Sequence, residues 1–194
     1  MLNKRFSFKW IAFIIFVLVI MDQLTKYIIK TSMYLGQSFM VFGDFFRITY
    51  VENPGMAFGL RLGNPLVFMA LSVFAAGLVF YYLYRLRDHN WLLQLAMSFI
   101  SAGAIGNLTD RFIYGRVIDF LDFEFFDIHI PAFSFLFFNF PGYSMTRWPV
   151  FNVADMAVTS GMIIIISYLI FVGDPLKPAE NPAVELNDGS VENT

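Results

Sequence analysis

The chain has 194 residues, 58% hydrophobic and 14% charged, with a net charge of −2. A soluble domain of this length carries about 25% charged residues, so the class is a polytopic membrane protein of single-domain length. The small negative charge excludes general affinity for nucleic acid, and the absence of cysteine excludes disulfides, thiolate catalysis and Cys-based metal sites.

Four segments, roughly 9–29, 66–86, 91–113 and 150–172, approach the ~20 apolar residues a bilayer core requires. The fold class is therefore an all-α membrane protein of four transmembrane helices, forming one domain over residues 1–172. Lys4, Arg5 and Lys9 resemble the start of a signal peptide, but Met21-Asp22-Gln23 follows the apolar run instead of a small-residue cleavage site. An uncleaved first helix is expected. Lys and Arg crowd the first nine residues and the short turn 85–90, and are sparse in the long connections 30–65 and 114–149. The dense side is cytoplasmic, which puts both termini inside and both long connections outside.

On the first helix Asp22 and Lys26 lie one turn apart and face the same way. Two uses are open: an ion pair at the membrane boundary with Lys26 snorkelling outward, or a positive charge that tunes a nearby site. In the first outer connection, Asp44–Val51 reads as a strand, broken by Asn53-Pro54-Gly55, with Met56–Leu60 able to return as a second strand. A small sheet on the outer membrane face is expected.

On the third helix Asn107 and Arg111 are four apart, with Asp110 beside them. Gly103 and Gly106 permit close approach of another backbone. Asp110 and Arg111 suit cross-bracing of helices; Asn107, deeper, can donate to a substrate carbonyl or hold a carboxylate. Asp119 follows as that helix emerges. On the fourth helix Asn152 and Asp155 share a face near the same outer end. Asp119 and Asp155, 36 positions apart in sequence, thus match in depth.

An ionisable group near hydrocarbon costs about 2.5–3.5 kcal/mol, so a pair of carboxylates there implies a use. Two close carboxylates share one proton and suit peptide hydrolysis: one takes a proton from water, the other donates to the scissile carbonyl. The pattern alone favours a proton or cation relay, or a structural role, over hydrolysis.

Between these aspartates lies an aromatic stretch, 123–148, with eight Phe, Tyr143 and Trp148. It either lies on the outer leaflet or packs against the bundle, and its ends are placed to shield a site between Asp119 and Asp155. The acidic run Asp122, Glu124 and Asp127 at its start reads as a solvated face rather than a cation site. His89 and His129 lie on opposite sides of the membrane, so no metal and no cofactor is implied. The Pro-rich, acidic tail 173–194 is expected to be disordered.

Met21-Asp-Gln-Leu-Thr-Lys26, Asn53-Pro-Gly-Met-Ala-Phe-Gly59, Gly103-Ala-Ile-Gly-Asn-Leu-Thr-Asp-Arg111 with Val117-Ile-Asp-Phe120, and Phe151-Asn-Val-Ala-Asp155 closely resemble the lipoprotein signal peptidases (signal peptidase II), in family order. The resemblance implies an aspartic endopeptidase of the bacterial inner membrane, with its site near the periplasmic face. It would cut diacylglyceryl-modified prolipoproteins just before the lipidated Cys. It implies Asp119 and Asp155 as the catalytic pair, and Asn53, Gly103, Asn107, Arg111, Asn152, Asp22 and Lys26 as residues of the site. The partners implied are diacylated prolipoproteins and membrane lipid, with no obligate protein partner. The 123–148 stretch departs from the family, whose members usually join the two catalytic motifs by a much shorter segment. A small proton-coupled carrier using Asp22, Asp119 and Asp155 as a relay is the alternative reading.

Overall fold

Backbone N–H and C=O groups find no partner in lipid, so the apolar runs coil. In a computed structural model they form helices α1 (Phe8–Ser32), α2 (Pro65–Arg85), α3 (Trp91–Tyr114) and α4 (Val153–Phe171). The structure describes residues 5–57, 60–61, 65–135, 138–173 and 175, so nearly all of the tail lies outside the described residues. Among the described residues, three helices, α1, α3 and α4, are long and apolar enough to cross a membrane.

The central helix is α3. Its most apolar stretch is 56% buried, against 17% for α1 and 22% for α4, whose outer faces are free to meet lipid. The other three helices all pack on it. Local chemistry fixes its ends. The Asn90 side chain accepts from the Leu92 and Leu93 N–H groups at 3.1 and 3.2 Å, and Gly115 closes the helix in the left-handed conformation, φ 71°. Asn90 also donates to the Tyr168 hydroxyl at 2.9 Å, tying the start of α3 to the end of α4.

At the other end of the bundle sits a three-stranded antiparallel sheet of β1 (Ser38–Phe42), β2 (Phe46–Asn53) and β5 (Val117–Phe123), in the order β1-β2-β5. The expected strand at 44–51 is present as β2, and Asn53-Pro54-Gly55 ends it: Asn53 Oδ1 accepts from the Gly55 N–H at 3.0 Å, with Gly55 at φ 109°. Its partners differ from expectation. Residues 56–60 do not return along β2; β3 (Met56–Ala57) pairs with β4 (Leu60–Arg61) as a separate ribbon. The strands beside β2 are β1, reached by a tight turn, and β5, which comes from beyond α3.

The β2–β5 register places Val51 opposite Asp119 and Asn53 opposite Val117. Phe151 then bridges to Leu121, with N–H···O distances of 2.8 and 3.1 Å, so the residues leading into α4 are tied to β5. That single bridge sets α4 beside the strand carrying Asp119.

The aromatic stretch contains strands the sequence reading lacks. Here β6 (Ile128–Ile130) pairs with β9 (Tyr143–Met145), and β7 (Phe133–Phe135) with β8 (Phe138–Phe140). Pro131 and Pro141 interrupt the two arms of this ribbon at matching points, since neither can donate to a ladder. The neck is closed by Trp148 N–H to Phe123 O at 2.9 Å and by Arg147, whose Nε meets Asp122 Oδ1 at 2.8 Å. Arg147 also pairs with Glu124 and donates to the Asp44 carbonyl at 2.9 Å. Asp122 is therefore no solvated carboxylate: it is buried between Arg147 and the Thr49 hydroxyl, 2.6 Å away.

Candidate active site

The site begins with close approach of α1 and α4 to α3. A side chain at Gly103 would overlap the Ala154 carbonyl and Val158; one at Gly106 would overlap the Asp22 carboxylate. Their absence lets polar groups from three helices meet in the protein interior.

Lys26 is 1% exposed and points into the bundle, which corrects the snorkelling alternative. Its three ammonium protons have three acceptors: Asp22 Oδ2 and Asp110 Oδ2, each at 2.9 Å, and Asn107 Oδ1 at 3.2 Å. Burying these charges is tolerable because the remaining oxygens are also met. Asp22 Oδ1 accepts from the Ala154 N–H at 2.8 Å, and Asp110 Oδ2 from the Ile118 N–H at 3.0 Å. Gln23 donates to Asp110 Oδ1 at 3.0 Å and to the Gly106 carbonyl at 3.2 Å. The sequence reading leaves Gln23 out, although its place between Asp22 and Lys26 was a signal. Asp110 does brace elements, joining α1, α3 and β5.

From Lys26 the network runs through two amides to both candidate carboxylates. Asn107 donates to Asp155 Oδ1 at 2.7 Å. Asn152, fully buried, donates to Asp119 Oδ1 at 2.7 Å and also reaches Asn107 Oδ1 at 3.1 Å. Asn152 is the N-cap of α4 in a capping box: its side chain accepts from the Asp155 N–H at 3.0 Å, while Asp155 Oδ2 accepts from the Asn152 N–H at 3.2 Å. One amide thus aims both aspartates. Asn53, at the end of β2, adds a side-chain hydrogen bond to Asp119.

Asp119, 3% exposed, is pushed up to about 7, first by burial and then by the charge of Asp155; hydrogen bonds from Asn152 and Asn53 and the charge of Lys26 oppose the rise. Both oxygens of Asp155 accept N–H groups, and it stands in the first turn of α4, where the helix dipole favours a negative charge. Arg111 donates to the Asn107 carbonyl at 3.1 Å, within electrostatic reach of Asp155, Asp119 and Asp110. The nine residues singled out in the sequence therefore fall in one connected region. A cavity of about 370 Å³ opens beside it, bounded by Asp155 and Met156 on α4 and by Phe125, Trp148 and Phe151.

Comparison with known proteins decides the family. The family model described as signal peptidase (SPase) II matches residues 14–171. The chain belongs to the signal peptidase II family. It is 35% identical to the lipoprotein signal peptidase of Syntrophus aciditrophicus (strain SB) over 157 residues, 78% of this chain and 86% of that one. Against the lipoprotein signal peptidase of Staphylococcus aureus (strain Newman), identity is 34% over 169 residues, 87% of this chain and 93% of that one. A bacterial membrane enzyme solved by the in meso method at 2.3 Å resolution superposes with a TM-score of 0.68 at 31% identity, covering 93% of this chain and 99% of its own. As a signal peptidase II the chain is a membrane hydrolase of lipoprotein processing, and its network of aspartates and asparagines stands where helices and sheet of that fold converge.

Proposed function

We propose that this signal peptidase II is an aspartic endopeptidase that removes the signal peptide of diacylglyceryl-modified prolipoproteins, cutting just before the lipidated Cys. The observation supporting this most directly is the pair of amides that aims two carboxylates at one place: Asn152 on Asp119, and Asn107 on Asp155. Asp119, holding its proton near neutral pH, donates a hydrogen bond to the scissile carbonyl oxygen. Asp155 takes a proton from water, whose oxygen attacks the carbonyl carbon. Collapse of the tetrahedral intermediate breaks the C–N bond, and the proton on Asp155 passes to the amine of the lipidated Cys.

In this reading all four helices span a bacterial inner membrane with both termini cytoplasmic, and the site lies near the periplasmic face. The acyl chains hold the scissile bond at that depth and convert binding energy into positioning. Asn53, Gly103, Asn107, Arg111, Asn152, Asp22 and Lys26 shape and position the dyad.

Purified Asp119→Asn and Asp155→Asn should each lose cleavage of a diacylated prolipoprotein by about a thousandfold or more while staying folded. Mass spectrometry of the products locates the cut. Substantial turnover by either variant would falsify the dyad, and ion flux in proteoliposomes lost with the same substitutions would support a carrier instead.

A further inference from the structure

One guanidinium ties the end of the long connection to two other parts of the outer face. Arg147 Nε donates to Asp122 Oδ1 at 2.8 Å and its Nη2 to the Asp122 carbonyl at 3.4 Å, both on β5. Its Nη1 donates to the Asp44 carbonyl at 2.9 Å, in the turn between β1 and β2, and also meets Glu124. Asp122 is buried, and its second oxygen accepts from the Thr49 hydroxyl at 2.6 Å, so the carboxylate is held in place from β2. A planar fork meeting a fixed carboxylate imposes geometry as well as charge.

The place of this grip gives it a consequence for the site. Asp122 lies three residues beyond Asp119 on the same strand, and Arg147 lies five residues before Asn152. Between them the chain makes its excursion, and returning a long loop to one spot costs entropy. Little backbone holds the return. The Trp148 N–H reaches Phe123 O and the Phe151 N–H reaches Leu121 O, but Pro149 between them has no N–H to give. The strands of the ribbon pack chiefly on one another, so they add little support.

We propose that Arg147 is a positioning residue of the active site: fastened to Asp122, it holds the returning chain against β5 and so sets the spacing of Asp155 from Asp119. The inference rests on the proteolytic reading and adds to it a residue outside the polar network of the helices. Asp119 and Asp122 are an odd number of strand positions apart, so their side chains leave β5 on opposite faces, and Arg147 acts through the backbone it holds. Asp155 from α4, Lys26 from α1, and Arg111 and Asp110 from α3 are the charges around Asp119, with the Asn152 and Asn53 amides bonded to it. Of these, Asp155 and Asn152 ride on the segment that Arg147 fastens. They act on Asp119 in opposite directions, and the charge of Asp155 is the larger effect.

The test uses the full chain in detergent micelles with a diacylated prolipoprotein peptide. Arg147→Ala should fold, because the Phe151–Leu121 bridge and the stack of Phe151 on Phe123 remain. It should lower kcat about tenfold with KM little changed, since no group that meets substrate is removed. As Asp155 draws away from Asp119, the basic limb of the pH–rate profile should move to lower pH. Asp122→Asn should act in the same direction, and the double variant should lose no more than the worse single one, because the pair works as one device. Arg147→Lys keeps the charge but not the fork, and should recover only part of kcat. A fall in kcat with an unmoved basic limb, or losses that multiply in the double variant, would overturn the proposal. A readout without turnover separates this inference from the proteolytic reading. Carboxyl-carbon NMR with isotope-labelled aspartate, assigned through Asp119→Asn, should show Asp119 titrating at lower pH in Arg147→Ala than in the wild type; an unchanged midpoint sinks the proposal. If the wild type leaves the peptide uncut, the proteolytic reading fails, and the titration alone decides whether Arg147 sets the spacing of the two carboxylates.

Discussion

Asp119 and Asp155 are the same residue type in unlike surroundings, and the difference sets what each can do. Asp119 is buried in β5 with its ionisation opposed by the charge of Asp155, which pushes it up to about 7. The folded state therefore binds a proton that the unfolded chain releases above the ordinary carboxylate range. Stability is highest below that range, falls as pH rises toward about 7, and is flat beyond it. Activity should follow the same proton: kcat/KM falls above pH about 7 as the dyad loses it. Asn53→Ala removes a donor that favours the ionised form, so the basic limb of the pH–rate profile should move upward. A profile identical to wild type would remove Asn53 from the dyad's surroundings. Lys26 shows where residue-scale reading stops. Its spacing from Asp22 was legible, but its inward turn depends on Asp110, which arrives from another helix 84 positions later.

Helix α3 illustrates what an element contributes beyond its side chains. Gly106 faces Asp22 with no room for a methyl group, so Gly106→Ala should push α1 outward and disturb the Lys26 network. The expected loss is about 1–3 kcal/mol, read as a lower Tm in detergent, with activity falling as well. An unchanged Tm would mean the helices are less tightly apposed than their geometry implies. The helices were legible because long apolar runs have one solution in lipid, and the site because its polar residues break those runs. The sheet was less so. β2 was visible as a β-branched, aromatic run, yet its neighbours come from before it and from beyond α3, and pairing between distant segments leaves no local signature. The ribbon at 128–145 was hidden for another reason: so dense a run of Phe masks the alternation by which a strand is recognised.

At the scale of the whole molecule, the side of the membrane that Lys and Arg placement proposes for each part can be measured directly. The chain contains no cysteine, so single introduced thiols report cleanly. Asp88→Cys should react only with a permeant reagent in intact cells, whereas Ser38→Cys and Ser134→Cys, all at exposed positions, should react with an impermeant one. The opposite labelling pattern would invert the orientation. The Asp22–Lys26 pair has a bearing on how such a molecule is made. Both partners lie within α1, one turn apart, so this helix carries its countercharge with it into the bilayer. It can be handed to lipid before its neighbours exist, and the buried triad of Asp22, Lys26 and Asp110 closes only when α3 docks. Closure of the buried polar network is thereby a late event of assembly, withheld until the bundle is complete.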